Sequence, residues 1–426
     1  MDFSHSPRAL DLRGRLQQFM ERYLLPYNAA WHAAVQRGEF PPPFLEDLKS
    51  LAREAGLWNL CLPMLREGEP GTRLSNLDYA PLAETMGRLP WAAEVFNCSA
   101  PDSGNMELLH RFASPAQRER WLAPLLAGEI RSAFAMSEPD AASSDPTNLQ
   151  TTVRRDGEDL VVNGRKWFIT GAAHPHCRLL IVMCRNDGGP ADTHRSHSMV
   201  LVPMEAAGVQ VERNIPVLHH QAPEGHCEIL LREVRVPADH LLGTWGEGFA
   251  MAQARLGPGR VHHCMRTIGQ CELALELAAE RTLERRAFGH YLSDYSNVQE
   301  WLAQCRIEID QARLLVLRTA WALDHGEEKP QQLRAQVAAI KVVAAQLQTR
   351  VVDRAIQAFG AMGLSPDTPL AYLWTWGRAL HLMDGPDEVH LRTVARHELA
   401  QARERMGSGS AWFTTPQQMA AAPRIK

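Results

Sequence analysis

No apolar run in this 426-residue chain approaches the roughly 18 residues that a membrane-crossing helix needs. Met1 to Gly14 holds no apolar core of the secretory kind. Arg8, Arg13 and Arg15 hint at a transit peptide, and Asp2 and Asp11 argue against it. The 8 cysteines form no CxxC pair and keep no regular spacing. They read as reduced, mostly buried thiols of a cytoplasmic protein rather than a disulfide or zinc framework. A basic surplus is missing: 45 Lys and Arg stand against 49 Asp and Glu, a formal charge of −4. That balance excludes a general nucleic-acid binder while leaving room for a local basic pocket around one anion. No GxGxxG follows a strand, so nicotinamide is not expected. No HExxH-type spacing occurs, so no metal is expected, and His262, His263, His381 and His390 read as structural or pocket-lining. There is no internal repeat. What is present is ordinary globular composition, 45% hydrophobic and 22% charged, with length enough for about two or three domains.

Three textures follow one another. Up to residue 130 the pattern is helical. Leu12, Leu16, Phe19 and Tyr23 lie on one helix face, and Pro26 ends or bends that helix. Phe44, Leu45, Leu48 and Leu51 make a second stripe. Ser114-Pro115-Ala116-Gln117 predicts a helix start, with Trp121, Leu122, Leu125 and Leu126 as its buried face. From 131 to 243 short strands alternate with turn residues. They are predicted at 159–164, 167–171, 179–183, 199–203, 208–211 and 228–231. From 244 to 402 the helices are long. One face holds Trp301, Cys305, Ile309, Ala312 and Val316. Another holds Val337, Ile340, Ala344, Leu347 and Val351, where only Lys341 carries charge, so this helix is expected to be buried on several sides. Gly257-Pro258-Gly259 reads as a break that starts a helix. Residues 403–426, with Gly407-Ser408-Gly409-Ser410 and Ala420-Ala421-Ala422, read as a loosely ordered tail. The expected fold is α+β and multidomain: an N-terminal α-helical domain (1–130), a central β-barrel or sandwich (131–243) and a C-terminal four-helix bundle (244–402). A crevice between helical layers and a β-domain is a natural cofactor site.

Three separated segments carry a resemblance. The first is Met136-Ser137-Glu138-Pro139-Asp140-Ala141-Ala142-Ser143-Ser144-Asp145, followed by Asn163-Gly164-Arg165-Lys166-Trp167-Phe168-Ile169-Thr170. The second is Arg285-Arg286-Ala287-Phe288-Gly289. The third runs from Gln357-Ala358-Phe359-Gly360-Ala361-Met362-Gly363 to Asp384-Gly385-Pro386-Asp387-Glu388-Val389. In order and spacing they resemble the acyl-CoA dehydrogenase superfamily over about residues 8–402. Segments 100–109, 256–266 and 384–392 are most similar to the branch that in mammals is fused to an aminoglycoside-phosphotransferase-like kinase domain; no such domain is expected in this chain.

The resemblance implies FAD, a homodimer or homotetramer, and α,β-dehydrogenation of an acyl-CoA thioester within fatty-acid metabolism and β-oxidation, with electrons leaving to an electron-transfer flavoprotein. It also implies residue roles. Phe134, Met136 and Ser137 would line the flavin, and Ser143 or Ser144 would reach cofactor or thioester. Phe168 would lie against the flavin face and Thr170 near its N5, with Trp167 expected to point the opposite way because strand side chains alternate. Arg285 and Phe288 would reach the FAD pyrophosphate of a neighbouring subunit, a diphosphate suiting the planar guanidinium fork. Gln357, Gly360 and Ala361 would let backbone approach the same group, although the lone GxxG equally suits a helix C-cap. Ser296 and Pro386 stand where many members have Gln and Thr.

Asp384 is the implied base. Removing a weakly acidic α-proton needs a carboxylate in a dry pocket, whose desolvation is expected to raise its basicity. Most members have Glu there. Asp387 and Glu388 are rival carboxylates, and the position that serves in some members is Gly259 here, which cannot. Arg260 is implied in the substrate pocket. Two other readings remain: a flavin oxidase on the same fold (acyl-CoA oxidase or nitroalkane oxidase-like), and elimination from a 4-substituted acyl-CoA. A degenerate scaffold that only binds acyl-CoA or a partner is the non-enzymatic alternative.

Overall fold

A computed structural model describes residues 2–188, 195–326 and 328–414. The Ala420-Ala421-Ala422 stretch lies outside them. The chain begins with helices α1 (Pro7–Phe19), α2 (Asn28–Gln36), α3 (Phe44–Glu54), α4 (Asn76–Gly87), α5 (Ala92–Val95), α6 (Asp102–Phe112), α7 (Pro115–Gln117) and α8 (Ala123–Ala127). Leu12, Leu16 and Phe19 face the core from α1, as their spacing predicts. In α3 the stripe shifts: Leu45, Leu48 and Ala52 are buried, while Leu51 faces solvent. Ser114 caps α7 in a reciprocal capping box with Gln117, with Pro115 as the first helical residue.

The middle of the chain forms β1 (Arg131–Ala135), β2 (Thr152–Asp156), β3 (Asp159–Thr170), β4 (Cys177–Asn186), β5 (His197–Pro203), β6 (Val209–Asn214), β7 (His226–Pro237) and β8 (Leu241–Leu242). They make one eight-stranded sheet in the order β6-β7-β3-β2-β4-β5-β8, with β1 beside β4. β1 and β2 run parallel to β4, and the other pairs are antiparallel. Leu179, Ile181 and Met183 of β4 enter the large helical core, while Leu180, Val182 and Cys184 enter a second core built from the β-region. Burial on both faces explains why β4 reads as a continuous apolar run rather than an alternating one.

Two strands predicted separately, at 159–164 and 167–171, are one strand, β3. Beside Gly164 the bulge is on the partner strand, where Arg232 and Glu233 of β7 oppose Asn163 alone, and a Cβ at Gly164 would lie 2.3 Å from Thr151 Oγ1. β1, β2 and β8 went unpredicted, the first two because Arg131, Ser132, Arg154 and Arg155 interrupt their apolar pattern. β1 owes its strand state to pairing with β4, far along the chain, and β2 to its hairpin with β3.

The C-terminal layer comprises α9 (Gly248–Glu284), the hairpin β9 (Arg286–Ala287) and β10 (His290–Tyr291), then α10 (Ser296–His325), α11 (Pro330–Phe359), α12 (Leu370–Leu380) and α13 (Asp387–Glu404). The predicted break at Gly257-Pro258-Gly259 does not occur, because α9 runs straight through Pro258. One lost backbone bond is offset by the packing of α9 against α4, α6, α10 and α11. Helices α4 and α9 cross closely: a Cβ at Gly87 would lie 2.2 Å from the Arg266 carbonyl oxygen, and one at Gly269 would lie 1.8 Å from that of Glu84. α11 is buried on several sides as expected, Lys341 included, whose ammonium donates to the carbonyl of Leu380 at the end of α12. After α13 the chain makes a 3₁₀ turn, Ser408–Trp412. Among the described residues no helix is long and apolar enough to cross a membrane.

Candidate active site

Asp384 sits in the turn between α12 and α13, with φ +54 and Gly385 at φ +102. Asp tolerates this left-handed backbone better than most residues. The turn is tied down from two helices: Arg260 Nε donates to the Asp384 carbonyl at 2.8 Å and His390 Nε2 does so at 3.2 Å. A Cβ at Gly385 would lie 3.1 Å from His390 Nε2, so the turn is tight as well as left-handed. The Asp384 carboxylate is recessed, with Oδ2 3.4 Å from His263 Nε2. Of its rivals, Asp387 is paired with His381 Nδ1 at 2.6 Å, and Glu388 is exposed.

The charge balance corrects one expectation. Burial works to raise the Asp384 carboxyl, but His263, Arg255, Arg260 and Lys341 more than offset it, and the group lies below the ordinary carboxylate range. Nearby, burial raises Glu107 to about 8, so that carboxyl is neutral at pH 7. Burial lowers Arg255 only to about 10, so it stays cationic. Arg255 donates through Nε to Asn105 Oδ1 at 2.8 Å and stacks over Phe134, its guanidinium carbon 4.1 Å from the ring centroid. Cations therefore outnumber carboxylates around Asp384.

The β-side of the site is built by a bulge in β3. Lys166 pairs with Ile229 of β7 and Ile169 with Cys227, so Trp167 and Phe168 together oppose one residue. Trp167 instead donates its backbone N–H to the Ser137 carbonyl at 3.0 Å. Phe168 takes φ +52, an outlier for an aromatic residue, and remains 41% exposed. The expected alternation fails here. The Trp167 and Phe168 rings meet edge to face at 5.0 Å, because the positive φ swings both to one side. Thr170 Oγ1 lies 3.0 Å from His226 Nδ1, and the His226 ring packs 5.3 Å from Trp376 of α12. Burial lowers His226 to about 4, so its ring is neutral, and its buried Nε2 has no protein partner.

Loop 136–151 is anchored by a buried ion pair that sequence reasoning missed. Lys166 Nζ donates to Glu138 Oε1 at 2.8 Å, to the Met136 carbonyl at 3.0 Å and to the Met183 carbonyl at 2.7 Å. Glu138 in turn accepts the Thr151 N–H at 2.9 Å. The only hint in the sequence is a lysine inside an apolar strand. Ser137 is half-buried in this loop. Ser143 is also half-buried and accepts the Glu138 N–H at 3.3 Å, while Ser144 is exposed.

A third group lies at another end of the bundle. Arg281 stacks over Phe359 at 5.5 Å, joining the C-terminal ends of α9 and α11. There Arg285, Gln357, Gly360 and Ala361 are exposed. Phe288 and Gly289 form the two-residue turn of the β9–β10 hairpin at φ +50 and +84, the type I′ signature. That turn displays Phe288 at 96% exposure. Gly360 ends α11 as its C-cap, also with positive φ. A cleft of about 1570 Å³ lies elsewhere, between α1, α2, α9, α12 and segment 218–223, and its lining includes neither Asp384 nor Thr170. Charge and backbone conformation, rather than volume, single out Asp384 and the β3 bulge as the candidate site.

Models of the acyl-CoA dehydrogenase N-terminal, middle and C-terminal domains match residues 6–129, 133–234 and 246–399. The probable acyl-CoA dehydrogenase FadE2 of Mycobacterium tuberculosis is 51% identical, over 95% of this chain and 98% of its own length. Mouse acyl-CoA dehydrogenase family member 10 is 46% identical over 92% of this chain, which spans only 37% of that longer relative. The solved butyryl-CoA dehydrogenase of Megasphaera elsdenii superposes with a TM-score of 0.79 at 25% identity, covering 94% of this chain and all of the other.

Proposed function

This chain belongs to the acyl-CoA dehydrogenase family of FAD-dependent oxidoreductases, and we propose that it removes the α-proton and β-hydride of an acyl-CoA thioester with Asp384 as the base. The observation that carries this reading is the state of Asp384: recessed, ringed by cations and ionised, while Asp387 is paired and Glu388 faces solvent. The α C–H bond breaks and its proton passes to the Asp384 carboxylate. Bound FAD supplies the two-electron acceptor for the β-hydride, and an electron-transfer flavoprotein is its expected outlet.

The residues on the β-side fit that cofactor. The lone buried Nε2 of His226, the Thr170 hydroxyl and the exposed Phe168 ring suit a flat aromatic system with a polar edge. Phe134, Met136, Ser137 and Ser143 would complete that wall, with Ser144 and Arg260 toward the substrate. Arg285, Phe288, Gln357, Gly360 and Ala361 face outward, which suits a diphosphate shared with a neighbouring subunit in a homodimer or homotetramer. The described cysteines are all unpaired and buried, in keeping with a reducing, cytoplasmic setting.

Anaerobic titration of the yellow protein with straight, branched and 4-hydroxy acyl-CoAs tests the reading. Bleaching of the flavin by one class names the substrate, and no bleaching by any thioester overturns it. The excess of cations at Asp384 favours one second reading, elimination from a 4-substituted thioester whose leaving group is anionic. Release of inorganic phosphate from a 4-phosphorylated acyl-CoA would identify it.

A further inference from the structure

His263, one turn along α9 from Arg260, touches a charged group through each ring nitrogen. Its Nδ1 lies 3.1 Å from Arg266 Nη2, and its Nε2 lies 3.4 Å from Asp384 Oδ2. A guanidinium can only donate, so Arg266 occupies the Nδ1 lone pair. The single hydrogen of the neutral ring is thereby placed on Nε2, facing the carboxylate. Burial, then Arg266, lowers the imidazolium to about 4, against the opposing pull of Asp384, so the ring is neutral at pH 7.

The other groups facing Asp384 bond elsewhere. From α9, Arg260 donates to the Asp384 backbone carbonyl, Arg255 to Asn105, and the Cys264 thiol is raised by burial to about 12. From α11, Lys341 donates to the Leu380 carbonyl. From α13, His390 reaches the Asp384 carbonyl and Asp387 pairs with His381. His263 is thus the neutral N–H poised at the carboxylate itself.

We propose that His263 is a positioning residue, its tautomer fixed by Arg266, that holds Oδ2 of Asp384 and leaves Oδ1 to take the substrate proton. The proposal rests on Asp384 being the base. It has a consequence for proton traffic. Nε2 already carries hydrogen and Nδ1 is covered, so the ring cannot accept the proton onward. The proton taken from substrate stays on Asp384 until product leaves.

The test uses the full-length, FAD-loaded protein. His263→Leu removes the N–H; His263→Gln keeps an N–H at nearly the same reach. In the Leu variant the acid limb of the single-turnover flavin-reduction profile should move up by about one pH unit, a roughly tenfold loss on the limb, because a charge-assisted donor has been removed. The Gln variant should restore it. Independently of activity, ¹⁵N-histidine spectra should show His263 as the Nε2–H tautomer, and Arg266→Met should convert it to a mixture. An Nδ1–H tautomer in the unaltered protein, or an unmoved limb in His263→Leu, overturns the proposal. Should the Leu variant fail to fold, the two spectra decide. Bleaching at the unaltered rate in Asp384→Asn sinks the base reading instead, whatever His263 does.

Discussion

Lys166 Nζ stands 2.8 Å from Glu138 Oε1, and neither side chain reaches solvent. The pair welds β3 to the loop that carries Ser137 and Ser143, so the same contact serves the fold and the site. Lys166→Met leaves Glu138 as a buried, unpaired charge. It should cost about 3–5 kcal/mol, the range for breaking a buried pair from one side. Urea denaturation gives the cost, and the dissociation rate of the flavin shows whether the loop has loosened. A variant as stable as the parent would mean that the pair is not buried in solution.

Glycine has opposite meanings at two helix positions. At Gly269 a Cβ would meet the Glu84 carbonyl oxygen at 1.8 Å, so Gly269→Ala must push α4 and α9 apart. A loss of about 2–3 kcal/mol is expected from such overpacking. At Gly14, in α1, nothing lies within 4 Å of the added carbon. Gly14→Ala should therefore stabilise by about 0.5–1 kcal/mol through helix propensity alone. Thermal unfolding of the two variants should shift in opposite directions.

Asp384→Asn keeps size and shape, and Asn also accepts the left-handed backbone, so this variant should fold and bind acyl-CoA. It should lose about 10²–10⁴-fold in the rate of flavin reduction, the usual worth of a positioned base. Because neighbouring cations hold the Asp384 carboxyl below its ordinary range, the free enzyme should keep its base ionised down through pH 4. An activity profile in which the base of the free enzyme titrates near 6 would contradict that electrostatic picture.

Acid should weaken the fold well before carboxylates titrate. Burial lowers His226 and His390 to about 4 and His174 and His262 to about 3. Each folded-state value lies below the unfolded value of about 6.5, so the unfolded chain binds more protons. The stability is complete above pH 6.5 and is lost as pH falls toward 4, by up to ~1.4 kcal/mol per pH unit for each ring. His262 packs 5.0 Å from Tyr79, and His262→Phe should lower the slope by about one proton. Urea midpoints at half-unit pH steps would read it, and an unchanged slope would remove His262 from the account.

The sequence alone determined the order of helical, β and helical layers, the core faces of α1, α10 and α11, and the Ser114 cap. Each is a local pattern set by period and by hydrogen-bonding chemistry within a few residues. Its motifs also marked Asp384, Thr170 and Arg285 by resemblance. Tertiary structure decided what depends on partners far along the chain. Pairing with β4 made a strand of β1. Packing against α4, α6, α10 and α11 carried α9 through Pro258. The bulge opposite β7 turned Trp167 and Phe168 to the same side. The charge on Asp384 was settled last, because it is the sum of fields from His263, Arg255 and Arg260 of α9, more than 120 residues away in the chain, and from Lys341 of α11, more than 40 away, which no local spacing encodes.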